Sequence, residues 1–192
     1  MYESMEALSA ACAGCDRCRL ASGRTNLVFG VGDPKADVLF VGEGPGYQED
    51  QQGEPFVGPS GQLLDKYLAA IDLDREHGVY IANIVKCRPP QNRDPQPDEQ
   101  DICLQWLREQ VRVLRPKVIV CLGRIAAQKL IDPEFRVTRQ HGQFIDKKGT
   151  LMMGTFHPAA LLRNPPQKAD AFDDFLALRD KLKELGLYPL SE

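Results

Sequence analysis

No run of apolar residues in this chain of 192 comes near the ~20 that a membrane-spanning helix needs; the longest, such as 118–122 (VIVCL), are strand-sized. A membrane role is excluded on that ground and a soluble protein is expected. The start, MYESME, is acidic and has neither the basic residues nor the apolar stretch of a secretory leader, which predicts a chain kept in the cytoplasm. Internal repeats and low-complexity tracts are missing too, apart from a Pro-rich, turn-forming loop at 89–97 (PPQNRDPQP). No Gly-x4-Gly-Lys-Ser/Thr loop occurs, so the phosphate cradle of a nucleotide hydrolase is absent.

What remains is globular: 43% hydrophobic and 27% charged residues in a length that suits one domain, residues 1–192. The net charge of −3 conceals an asymmetry. Ten of the 24 Lys and Arg residues lie in three acid-free stretches, 17–32, 86–93 and 147–169, leaving the rest of the chain with 14 against 27 acids. If the stretches meet in space, an acidic protein has one basic face suited to a polyanion; as separate solvated loops they imply no partner.

Apolar periodicity alternates along the chain. Short buried-strand runs stand at 37–41, 79–85, 117–122 and 150–155, and helical spacing is found at 60–71, 98–114, 124–131 and 169–185, with Pro116 stopping the second helix. This predicts an α/β fold, a three-layer α/β/α arrangement around a central four-stranded, mainly parallel sheet. Ligands of such sheets bind beyond the carboxyl ends of the strands. There the chain carries Gly42-Glu43-Gly44-Pro45-Gly46, then Asn83, then Phe156-His157-Pro158. A glycine turn, a carboxylate, an amide and an imidazole are thus expected to share one crevice.

Six cysteines in a reducing compartment point to ligands rather than disulfides. Cys15-x2-Cys18 is a chelating turn, and Cys87 and Cys103, with 15 residues between them, flank the Pro-rich loop, which can fold them toward each other. Cys121 reads as strand core, while Cys12 offers a third candidate beside Cys15 and Cys18. Spacing alone leaves zinc, an iron-sulfur cluster and free thiols open.

Taken together, 42–50 (GEGPGYQED), 53–58 (GEPFVG), 83–93 (NIVKCRPPQNR) and 155–163 (TFHPAALLR) resemble the family 4 uracil-DNA glycosylases over nearly the whole chain, in the family's order and spacing. The resemblance implies a monofunctional enzyme that hydrolyses the bond between uracil and deoxyribose in single- or double-stranded DNA, the first step of base excision repair. It implies a monomer whose N-terminal segment docks through a 4Fe-4S cluster held by Cys15, Cys18, Cys87 and Cys103, with Cys12 a bystander. It further implies that Phe56 stacks on a flipped uracil, Asn83 reads its O4 and N3 edge, Gly42, Gly44 and Gly46 bring backbone amides to the base or its phosphate, and Glu49 blocks the 5-methyl of thymine.

Cleavage builds negative charge on uracil O2 and positive charge on the sugar. His157 is expected to donate to O2 and Glu43 to orient the water or stabilise the cation. Leu161 or its neighbour Leu162 is the expected wedge in the vacated stack, and Arg93 and Arg163 the expected DNA contacts. Outside this pattern, Phe56 reads as core, Asn83 as a strand-end cap and His157 as a turn residue. Two positions depart from the family: His141 stands where an Arg is expected before the glycine, and Ala159 replaces a serine. Two other readings stand beside the first. One is an iron-sulfur protein that binds DNA without catalysis, which has no need of Glu43, Asn83 and His157 together. The other is a sister group that traps uracil DNA covalently through a His between the equivalents of Cys87 and Cys103, a loop that holds no His here.

Overall fold

The computed structural model describes residues 2–188. Its sheet has six strands: β1 (Val31–Gly32), β2 (Val38–Gly42), β3 (Val79–Asn83), β4 (Val118–Leu122), β5 (Phe144–Lys147) and β6 (Thr150–Thr155), in the order β1-β3-β2-β4-β6-β5. The central four are parallel, at the positions expected from sequence. The expectation of four strands falls short at the edges, where β1 and β5 run antiparallel to their neighbours. Both are hard to read for a physical reason. A two-residue strand has no period, and β5 joins β6 through a hairpin turn, Lys148 and Gly149, both at positive φ (57° and 87°), as a two-residue turn with the sheet's twist requires.

Among the described residues, eight α-helices accompany the sheet: α1 (Met5–Ala13), α2 (Tyr47–Gln52), α3 (Pro59–Ala70), α4 (Pro97–Leu114), α5 (Arg124–Leu130), α6 (Val137–Gln140), α7 (Pro158–Arg163) and α8 (Lys168–Glu184). Successive strand residues point to opposite faces. Leu39, Val41, Tyr80, Ala82 and Ile119 face a layer built by α1, α4 and α5 around Leu8, Trp106, Leu107 and Ala126. Val38, Phe40, Ile81 and Val120 face α3, α7 and α8, which contribute Leu64, Leu68, Leu161, Phe175 and Leu178. The three layers therefore follow from the two faces of the central strands. Among the described residues, no helix is long and apolar enough to cross a membrane.

The parallel strands end together, so Gly42, Asn83 and Thr155 bring three loops to one edge of the sheet. Lys147 and Lys148 lie at the other end, because β6 carries the chain about 17 Å from its first residue to its last. The three acid-free stretches therefore do not all meet in space, the condition on which a single basic face depended.

Candidate active site

A crevice of about 450 Å3 opens at the carboxyl ends of the strands, lined by Glu43, Gly44, Gly46, Glu49, Phe56, Asn83 and His157 with Arg93, Asp94, Arg124 and Arg163. The sequence-predicted residues of the site come together here. Asn83 ends β3 opposite Gly42 of β2. Its side chain is buried, and among the described residues its Oδ1 is the one buried side-chain oxygen or nitrogen without a hydrogen-bond partner. An orphaned carbonyl oxygen beside a crevice is poised for a donor from a ligand. Gly42 makes room for it: a Cβ there would lie 2.4 Å from Asn83 Oδ1 and 2.6 Å from Phe56 Cζ.

Phe56 is held in the left-handed region, φ 55°. Arg75 fixes that turn, donating through Nη1 to Pro55 O (2.9 Å) and through Nη2 to Phe56 O (2.5 Å), while its Nε meets Asp65 (2.6 Å). The Phe56 ring lies 5.6 Å from the His157 ring at 31°. Glu49 braces the same wall. Its Oε1 accepts from the amides of Val57 and Gly58 (both 3.0 Å) and its Oε2 from Gly46 N (3.2 Å), so one carboxylate ties the glycine turn to the Phe56 turn.

His157 caps α7, its Nδ1 accepting from Ala159 N at 3.1 Å. That bond places the ring proton on Nε2 and makes the imidazole a donor at its other end. Burial, reinforced by Arg163, lowers its pKa to about 4, so it stays neutral at ordinary pH. Gly123 (φ 91°) permits the approach, since a Cβ there would stand 2.7 Å from His157 Cβ. Glu43 has the opposite shift. Burial, with Asp94 nearby, raises its pKa to about 7 against the pull of Arg124 and Arg163. Two titratable groups with shifts in opposite senses in one crevice are the pattern of an acid-base site.

Sequence reasoning missed Arg75, Asp94 and Arg124. Asp94 and Arg124 form an ion pair at 2.5 Å on the crevice wall, and no local motif marks either, because their pairing spans β4 and the Pro-rich loop. Two expectations need correction. Leu161 is buried to 1% exposure in the core with α3 and α8, so it cannot enter a DNA stack, whereas Leu162 is 41% exposed. Arg93 lines the crevice, but its guanidinium is clamped on buried Glu99 (2.7 and 2.8 Å) instead of facing solvent freely. His141, one of the two departures from the family pattern, turns inward to Asp174 (2.8 Å), which also accepts from Thr155 Oγ1. Arg163 is exposed and, among the described residues, has no ion pair.

On the α1/α4 side, Cys15, Cys18, Cys87 and Cys103 line one hollow with Arg17, Lys86 and Trp106. Three of the sulfurs accept N–H bonds: Cys15 from Trp106 Nε1 (3.2 Å), Cys103 from Lys86 N (3.2 Å) and Cys87 from Arg24 Nη1 (3.3 Å). Among the described residues no group of three His, Cys, Asp or Glu is arranged to hold a metal ion. Cys12 and Cys121 are buried and do not line the hollow, and burial pushes both thiols up to about 12.

The chain matches the family model described as the uracil DNA glycosylase superfamily over residues 29–182. It is 45% identical to the type-4 uracil-DNA glycosylase of Archaeoglobus fulgidus over 181 residues, 90% of each chain. It is 39% identical to the type-4 enzyme of Sulfurisphaera tokodaii, covering 97% of this chain and 87% of that one. Similarity to the type-5 uracil-DNA glycosylase of Pyrobaculum aerophilum is lower, 33% over 68% of this chain and 64% of the relative.

Proposed function

The chain belongs to the uracil DNA glycosylase superfamily, within its type-4 group, and from that premise we infer how its crevice removes uracil from DNA. The observation that carries the reading is the orphaned Oδ1 of Asn83 in a crevice shared with Glu43 and His157. Uracil offers N3–H as donor and O4 as acceptor, so the Asn83 amide matches both, Oδ1 accepting and Nδ2 donating. Cytosine, whose N3 is an acceptor, leaves Oδ1 unpaired at N3. Phe56 supplies the stacking surface, and Glu49 holds the wall that a 5-methyl group would meet.

As the glycosidic bond breaks, His157 Nε2–H donates to the developing charge on O2, and Glu43 accepts a proton from water or faces the sugar cation. Leu162 fills the vacated stack, and Arg163 with the neighbouring backbone meets phosphate. We place the protein in the cytoplasm as a monomer acting on single- or double-stranded DNA.

The four-cysteine hollow suits a 4Fe-4S cluster, in which each thiolate binds a different iron, and N–H bonds to sulfur are among the features that tune such centres. Cys15, Cys18, Cys87 and Cys103 would hold it, docking the N-terminal segment onto α4; the cluster's contribution there is a structural staple with an electron-transfer capacity. Purified protein is expected to be brown, with iron and sulfide each at about four per chain. Colourless protein holding one zinc overturns the cluster reading.

The activity is tested with a labelled oligonucleotide carrying one uracil, followed by alkali. Strand breaks at uracil and none at thymine are expected; an intact strand overturns the proposal. Gly42→Ala places a methyl against Asn83 Oδ1 and Phe56. A displacement of that order is expected to slow excision by about 10²-fold, while binding to uracil-free DNA, measured by fluorescence anisotropy, stays at the parental level.

A further inference from the structure

Lys86 is the largest buried charged side chain, 1% exposed. Its Nζ donates to Asn83 O (2.9 Å) and to Gln110 Oε1 (2.6 Å), both neutral acceptors. Gln110 is fixed in turn by its Nε2 bond to Phe29 O (2.9 Å). Among the described residues, no carboxylate forms an ion pair with Lys86. A buried ammonium held by neutral partners alone is strongly disfavoured and calls for a counter-charge. The same residue lines the cysteine hollow, its amide bonds Cys103 Sγ at 3.2 Å, and the next residue is Cys87. Four thiolates around an iron-sulfur core leave a net anion, a partner of opposite sign next to Lys86.

We propose that Lys86 is the buried counter-cation of the cysteine-held cluster and, through the Asn83 carbonyl, the positioning residue that ties the cluster to the amide reading the base. The inference rests on the cluster reading above. It gives the cluster a consequence at the crevice. The cation that stabilises the cluster's charge also anchors the end of β3, where a small displacement moves the Asn83 side chain against its ligand.

The two roles separate in two variants. Lys86→Met removes both the charge and the donor to Asn83. Gln110→Glu keeps Lys86 in place but brings it a carboxylate, which offsets its charge at the cluster, at the loss of the bond to Phe29 O. Iron and sulfide are measured first in the parent; their absence overturns the cluster reading and this proposal with it. With a cluster present, voltammetry should give a more negative midpoint potential in both variants, since a nearby cation favours the reduced form. Bleaching by a chelator should be about 10-fold faster in Lys86→Met, the usual size of a loss next to metal ligands.

Base reading is followed with an oligonucleotide carrying 2′-fluoro-deoxyuridine, whose fluorine opposes charge on the sugar and so resists cleavage. Its binding preference over the uracil-free strand should fall about 10-fold in Lys86→Met and hold in Gln110→Glu. An unchanged potential in Gln110→Glu overturns the proposal, and that variant decides alone if Lys86→Met does not fold. Unchanged discrimination in a folded Lys86→Met overturns it as well.

Discussion

Glu43→Gln is expected to lower single-turnover uracil excision by about 10²- to 10⁴-fold, the usual contribution of a positioned general base, and to abolish the acid limb of the pH profile. Burial and the neighbouring Asp94 raise the Glu43 carboxyl to about 7. Because its pKa is raised, the ionised form that accepts a proton becomes populated only as pH rises through about 7. The parental rate should therefore climb with pH below that value and level off above it. His157, neutral above about 4, adds no limb in this range. Glutamine keeps the shape of the side chain but has no proton to exchange, so the profile of the variant should be flat between about pH 5 and about pH 9. A Glu43→Gln enzyme that retains the acid limb would assign it to another group.

His157→Ala should cost about 10²- to 10³-fold in the same assay, the usual loss when one preorganised donor to a developing anion is removed. Binding of uracil DNA should change little, because that donor acts chiefly as charge builds on O2. The same ring also caps α7 through Nδ1, and loss of a cap typically costs about 1 kcal/mol. His157→Asn separates the two functions. Its side-chain oxygen can accept from Ala159 N, so thermal unfolding should stay near parental, while excision should fall as in the alanine variant. If both variants cleave at the parental rate, the charge on O2 is met by Asn83 or backbone amides, and the role assigned to His157 is wrong.

Much of this site is legible in the chain because its components follow from local rules. The apolar runs of the four parallel strands are set by burial on both faces, and parallel strands deliver the residues after them to one edge. Gly42, Glu43, Asn83 and His157 could therefore be assigned to one crevice without coordinates, and Cys87 and Cys103 to one hollow from their place around the Pro-rich loop. Cysteine spacing could not name the metal, because a thiolate set serves zinc and iron alike; the proposal of iron comes from the family resemblance.

Other features depend on which way a side chain faces and on neighbours distant in sequence. Leu161 and Leu162 are equivalent as letters, yet the rotation of α7 buries the first among α3 and α8 and exposes the second. Arg93 is a free cation in sequence and Glu99's partner in space. Lys147 and Lys148 belong to the same acid-free stretch as Arg163, but the length of β6 separates them from the crevice. The raised carboxyl of Glu43 comes from burial and from Asp94, against the pull of Arg124 and Arg163, and the lowered imidazole of His157 from burial and Arg163. Lys86 carries its meaning only in three dimensions: burial removes its water, and the fold sets the Asn83 carbonyl at its Nζ and Cys103 Sγ at its backbone amide, beside the cysteine hollow. Local sequence determines which groups reach the edge of the sheet; desolvation and long-range pairing, which only the tertiary structure decides, determine the charge each one carries there.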